Sequence, residues 1–132
     1  MPAYGEGMTG WALIFLGGGL GALARYGLGL AATRAFGPDL PWGTLACNLI
    51  GGLAMGALAA ALLSGAGSEN LRLFAGVGLL GGFTTFSAFS LETAAMLQRG
   101  DLALAGGYAL ASVVGSVAAL FAGMALMRSL AS

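Results

Sequence analysis

The chain has 132 residues, 58% of them hydrophobic and only 8% charged, and five basic against five acidic side chains leave no net charge. Soluble domains carry about 25% charged residues, so this composition cannot clothe a water-soluble surface and marks an integral membrane protein. With no histidine, one cysteine and scattered acids, it excludes a histidine-based catalytic set, an internal disulfide and a metal-ligand cluster, and nothing in it calls for a nucleic-acid partner.

A spanning helix needs about 20 apolar residues. Four charge-poor stretches meet that length, and they predict helices over residues 7–33, 41–64, 71–98 and 102–128, forming one four-helix transmembrane domain across residues 1–132. The N-terminus lacks a basic region and Glu6 is its only charge, so no cleavable signal peptide is expected. In the first helix, Gly17 and Gly21 have the small-xxx-small spacing that lets backbones meet in lipid. Arg25 lies where its long side chain reaches toward the interface. The run Gly19-Leu-Gly-Ala-Leu-Ala24 imitates a dinucleotide loop, but it lies inside a span with no strand before it, and that reading is rejected.

Breakers in Phe36-Gly-Pro-Asp-Leu-Pro41 end the first helix. The second carries Gly52 and Gly56 at packing distance, with Thr44 and Asn48 one turn apart at its centre. A bare amide in hydrocarbon is costly, so Asn48 either bonds a neighbouring helix or faces a conduit. The third stretch contains Gly81-Gly-Phe-Thr-Thr-Phe-Ser-Ala-Phe-Ser90, where a glycine pair weakens the helix and hydroxyls (Thr85, Ser87, Ser90) crowd against aromatics. A break there predicts a polar site at membrane depth, because a freed backbone group finds no water in lipid. On the fourth helix Tyr108, Ser112 and Ser116 recur at i, i+4 and i+8 and form one hydroxyl stripe.

Short connectors join antiparallel neighbours, so the expectation is an up-down bundle. Alternation then places Arg72 and Arg128 on one side, Arg34 and Arg99 on the other, with Arg25 leaning toward the latter. Orientation is normally set by an excess of Lys and Arg in cytoplasmic loops. Here the two sides nearly balance, which predicts dual topology: copies insert both ways and pair as an antiparallel homodimer. The polar groups at depth donate hydrogen bonds without charge. No acid is expected at mid-membrane, and phenylalanine edges carry the positive part of the ring quadrupole. That inventory suits a small anion better than a cation.

Gly17-Gly-Gly-Leu-Gly-Ala-Leu-Ala-Arg-Tyr26, Gly43-Thr-Leu-Ala-Cys-Asn-Leu-Ile-Gly51, the segment Gly81 to Glu92 and the Tyr108/Ser112/Ser116 track together resemble the Fluc-type fluoride channels, the CrcB family. The resemblance runs over nearly the whole chain. It implies a dual-topology, antiparallel homodimer in the bacterial inner membrane that passively exports fluoride and protects against its toxicity. It further implies that Phe86 and Phe89 approach fluoride with their ring edges. Asn48, Thr85, Tyr108, Ser112 and Ser116 complete the pathway, and Arg25 sits at the vestibule. Gly81 and Thr84 would offer backbone carbonyls to a structural sodium ion between the two copies, a hard cation that takes oxygen ligands. Phe83 stands where an aliphatic residue is common, and Ala88 where a hydroxyl is usual. The alternative is a small multidrug-type proton-coupled antiporter, also a short four-helix dimer. It needs a carboxylate within the first helix, and residues 7–24 contain none.

Overall fold

A computed structural model describes residues 7–131, so the N-terminal reading around Glu6 lies outside the described residues. Those residues form four helical spans and no strand: Met8–Phe36, Trp42–Leu63, Glu69–Gln98 and Leu102–Ala131. Each is long and apolar enough to cross a bilayer. The first, with 29 residues, exceeds the roughly 20 that a bilayer needs, and tilting absorbs such excess.

The turns between spans are closed by backbone chemistry. The second helix ends in a Schellman turn: Ala66 N–H reaches the Ala61 carbonyl at 2.9 Å and Gly65 N–H the Leu62 carbonyl at 3.1 Å. The third span ends the same way, with Asp101 N–H on the Met96 carbonyl at 2.9 Å. Both turns require a left-handed residue, and Gly65 and Gly100 supply it at φ +83°. At the first connector Phe36 stacks on Trp42 with ring centroids 5.8 Å apart.

Glycine seams hold the bundle together in two pairs. The first helix lies against the first half of the third span, where Gly17 and Gly21 face the Phe74 and Leu79 carbonyls and a Cβ on Gly82 would stand 2.5 Å from the Gly18 carbonyl oxygen. The second helix lies against the fourth: Gly56 meets the Leu120 carbonyl, and Gly123 meets that of Leu53. Lipid tails are as apolar as the side chains, so close van der Waals contact between backbones supplies most of the cohesion. Gly56→Ala is therefore expected to lower the melting midpoint in detergent, by an overpacking cost of about 1–3 kcal/mol. A midpoint equal to wild type would mean the two backbones do not touch there.

The third span is irregular up to Thr85. Ser68 caps its start by accepting from Leu71 N–H at 3.1 Å. From Arg72 to Leu80 the chain winds in wide π-type turns, and Gly81 N–H still reaches back to the Gly76 carbonyl. A short α-helical turn over Gly81–Phe83 follows, then the helix stops. Thr84 (φ −84°, ψ 154°) and Thr85 (φ −150°, ψ 120°) are extended, and helix resumes over Phe86–Gln98. The break thus falls on the two threonines and not on the glycine pair that the sequence singles out. Gly81 and Gly82 remain helical, Gly82 serving close approach to the first helix. Adjacent β-branched residues favour extended backbone, and Thr85 gains further by capping the new helix.

The half-helix Phe86–Gln98 is the least embedded part of the bundle. Met96 is buried with Ala105 and Tyr108, and Leu45 and Phe89 pack against them. Phe86 and Leu91, by contrast, are 76% and 73% exposed.

Candidate functional site

The break creates polar backbone groups at depth, and specific side chains take them up. Asn48, half-buried on the second helix, pairs with Thr85 from both sides of its amide. Its Nδ2 donates to the Thr85 carbonyl at 3.1 Å, and its Oδ1 accepts the Thr85 N–H at 2.9 Å. Thr85 Oγ1 accepts from Ala88 N–H at 3.1 Å, closing the first turn of the half-helix. Thr84 Oγ1 donates back to the Leu80 carbonyl at 2.9 Å. From the first helix, Arg25 Nε donates to the Gly82 carbonyl at 3.1 Å. Each partner offsets a desolvation cost of about 1–3 kcal/mol that an unpaired backbone group would carry.

These bonds have a second effect. In an unbroken helix the Gly81 carbonyl would accept from Thr85 N–H, and the Thr84 carbonyl from Ala88 N–H. Both donors are diverted, one to Asn48 and one to the Thr85 side chain. Two carbonyls at the end of a helical segment are thereby released from their usual partners. Carbonyl ends carry partial negative charge, whereas the N-terminus of the following half-helix is partially positive. One break therefore sets cation-attracting and anion-attracting ends side by side.

An open groove of about 380 Å³ runs beside the break, and Asn48, Thr85, Phe86, Phe89, Ser112 and Ser116 all line it. Phe86 and Phe89 face each other at 5.5 Å between centroids, tilted by 47°. Phe89 continues to Tyr108 at 5.4 Å. Ser112 is only 5% exposed, and its hydroxyl has no hydrogen-bond partner among the described residues. The Tyr108 hydroxyl, one turn earlier on the same helix, is its polar neighbour. Ser87 is exposed and near Thr85 Oγ1 at 3.3 Å, and Ser90 bonds back to the Phe86 carbonyl at 2.9 Å.

On the other face of the break lies a wider hollow of about 500 Å³, lined among others by Arg25, Thr44, Cys47, Thr85, Glu92 and Arg99. Thr85 borders both spaces. Six of the seven residues expected along the pathway thus share the groove. The seventh, Tyr108, adjoins it through Phe89 and sends its hydroxyl to Glu92 at 3.1 Å. Arg25 stands in the hollow, tied to the third span and not free in solvent.

Comparison with known proteins follows this geometry closely in extent. A family model described as "CrcB-like protein, Camphor Resistance (CrcB)" matches residues 12–124, which include every residue of the groove. The chain belongs to the CrcB family. Among its relatives, a protein of Novosphingobium aromaticivorans named "Fluoride-specific ion channel FluC" is 53% identical over 126 residues, covering 94% of this chain and all of that one. Proteins of the same name from Mesorhizobium japonicum and a Caulobacter species are 51% and 53% identical, over 89% and 95% of this chain and 95% and 99% of theirs.

Glu92, which the sequence places toward the end of the third span, borders the hollow and not the groove. Thr44 Oγ1 donates to Glu92 Oε1 at 2.6 Å, and the Tyr108 hydroxyl to Oε2. Both carboxylate oxygens are held by hydroxyls from the second and fourth helices, which ties three spans together. Glu92 is the sole acid between Glu69 and Asp101, and an acid inside a membrane span is a functional candidate by default.

Proposed function

We propose that this chain forms a fluoride-specific channel, passively releasing cytoplasmic fluoride across the bacterial inner membrane and so protecting the cell from fluoride toxicity. The observation that carries the reading is the groove itself: Asn48, Thr85, Ser112 and Ser116, uncharged side chains able to donate hydrogen bonds, line it together with Phe86 and Phe89. Hydrogen-bond donors without fixed negative charge can replace the hydration shell of a small anion. The positive rims of the two rings extend that lane. Its names-by-relationship support is direct, since the relatives that match the chain end to end are called fluoride-specific channels.

A single copy leaves the groove open along one side and Phe86 largely exposed. We take a second, inverted copy to close it, as the near-even split of arginines between the two sides suggests. The antiparallel homodimer has two pathways, each walled by both copies and surrounded by lipid on the remaining apolar faces. A structural sodium ion between the copies would be held by the Gly81 and Thr84 carbonyls. The donor set fits such an ion: neutral oxygens at a helix C-terminal end, both relieved of their usual hydrogen bonds. When bound, the ion supplies only positive charge and a geometric anchor.

The test is efflux from liposomes containing the purified protein, with fluoride or chloride as the trapped anion. Fluoride should leave rapidly while chloride stays. Equal loss of the two anions, or retention of both, would refute a fluoride-specific channel.

A further inference from the structure

Arg25 reaches the break through a single atom. Its Nε, not the terminal fork of the guanidinium, donates to the Gly82 carbonyl at 3.1 Å. The backbone carbonyl of the same residue accepts from the buried Cys47 Sγ at 3.9 Å, so the first helix is tied to the second at the level where it grips the third. Donor and acceptor also ride on two elements already locked by backbone contact, Gly82 lying on Gly18. The reach is therefore fixed at both ends.

Gly82 sits between Gly81 and Thr84, the residues whose carbonyls are released by the break. A helical end with several free carbonyls is prone to fray and to take up water. Arg25 removes one oxygen from that set and pins the turn that carries its neighbour. We infer that Arg25 is a positioning residue for the cation seat: by holding the Gly82 carbonyl it orients the Gly81 and Thr84 carbonyls toward the ion. The inference rests on the sodium reading above. It differs from a vestibule role, in which the guanidinium acts on passing anions through its charge alone.

The two roles separate by side-chain geometry. Glutamine places its amide nitrogen at the same number of bonds from the backbone as arginine Nε, and it carries no charge. Methionine has similar length and neither donor nor charge. The measurement is the melting midpoint of the purified protein in detergent, titrated with sodium chloride against N-methylglucamine chloride at constant ionic strength. Fluoride efflux is recorded in parallel. Arg25→Gln should need a sodium concentration within about threefold of wild type for half-maximal stabilisation. Arg25→Met should need about tenfold more, the size of one lost hydrogen bond. Failure of Arg25→Met to accumulate as folded protein, beside a well-behaved Arg25→Gln, counts on the same side. A charge-only role predicts that both variants lose fluoride rate alike and keep wild-type sodium dependence, and that result overturns the positioning role. A wild-type protein whose melting ignores sodium overturns the sodium reading and this inference together.

Discussion

Replacing Phe86 or Phe89 by isoleucine is expected to cut fluoride efflux from proteoliposomes by about 100-fold or more, equivalent to roughly 2.7 kcal/mol on the permeation barrier. Isoleucine keeps apolar bulk but has no ring edge to turn toward an anion. The two substitutions should differ in what they do to stability. Phe86 is 76% exposed in the protomer, so little packing is lost there. Phe89 stacks on Tyr108 at 5.4 Å and packs against the buried cluster of Met96 and Ala105, so its replacement should lower the melting midpoint as well. The decisive quantity is the efflux rate per folded protein, with chloride-loaded liposomes as the leak control. Wild-type rates in both variants would remove the aromatics from the pathway.

Asn48→Asp is expected to be nearly as damaging, for two reasons that can be told apart. The aspartate can still accept from Thr85 N–H, as Asn48 Oδ1 does at 2.9 Å. It cannot donate to the Thr85 carbonyl, which Asn48 Nδ2 now reaches at 3.1 Å. Two acceptors then face each other, a loss of about 1–3 kcal/mol visible in the melting midpoint. In addition, a carboxylate places negative charge in the groove that anions are to use. Asn48→Ala loses both bonds but adds no charge, so it should also melt below wild type yet conduct fluoride better than Asn48→Asp. Fluoride rates that rank the other way would assign Asn48 to support of the break alone.

Much of this was legible in the sequence because lipid imposes few choices. Charge-free length places the four spans, and the paired spacing of Gly17, Gly21, Gly52 and Gly56 marks close approach, which the structure shows against neighbouring backbone. The hydroxyl stripe followed from helical period alone. The position of the break did not. Glycine is the weaker helix former, yet Gly81 and Gly82 stay helical because the first helix demands a bare backbone at Gly82. Tertiary contact overrode propensity, and the extended conformation passed to Thr84 and Thr85. The partners of Glu92 were not legible for a different reason. Its place near the polar sites depends on how the half-helix is rotated after the break, and no sequence period carries across two extended residues.

The reciprocal amide pairing between Asn48 and Thr85 has a bearing on how such a protein matures. Both partners belong to the same chain, and every polar atom they tie up is tied up within it. The kink is thus stable in a newly inserted single copy, before any encounter in the bilayer plane. Whatever docks against the exposed Phe86 face meets a preshaped surface and need not drive a costly deformation, so its binding free energy goes into holding on.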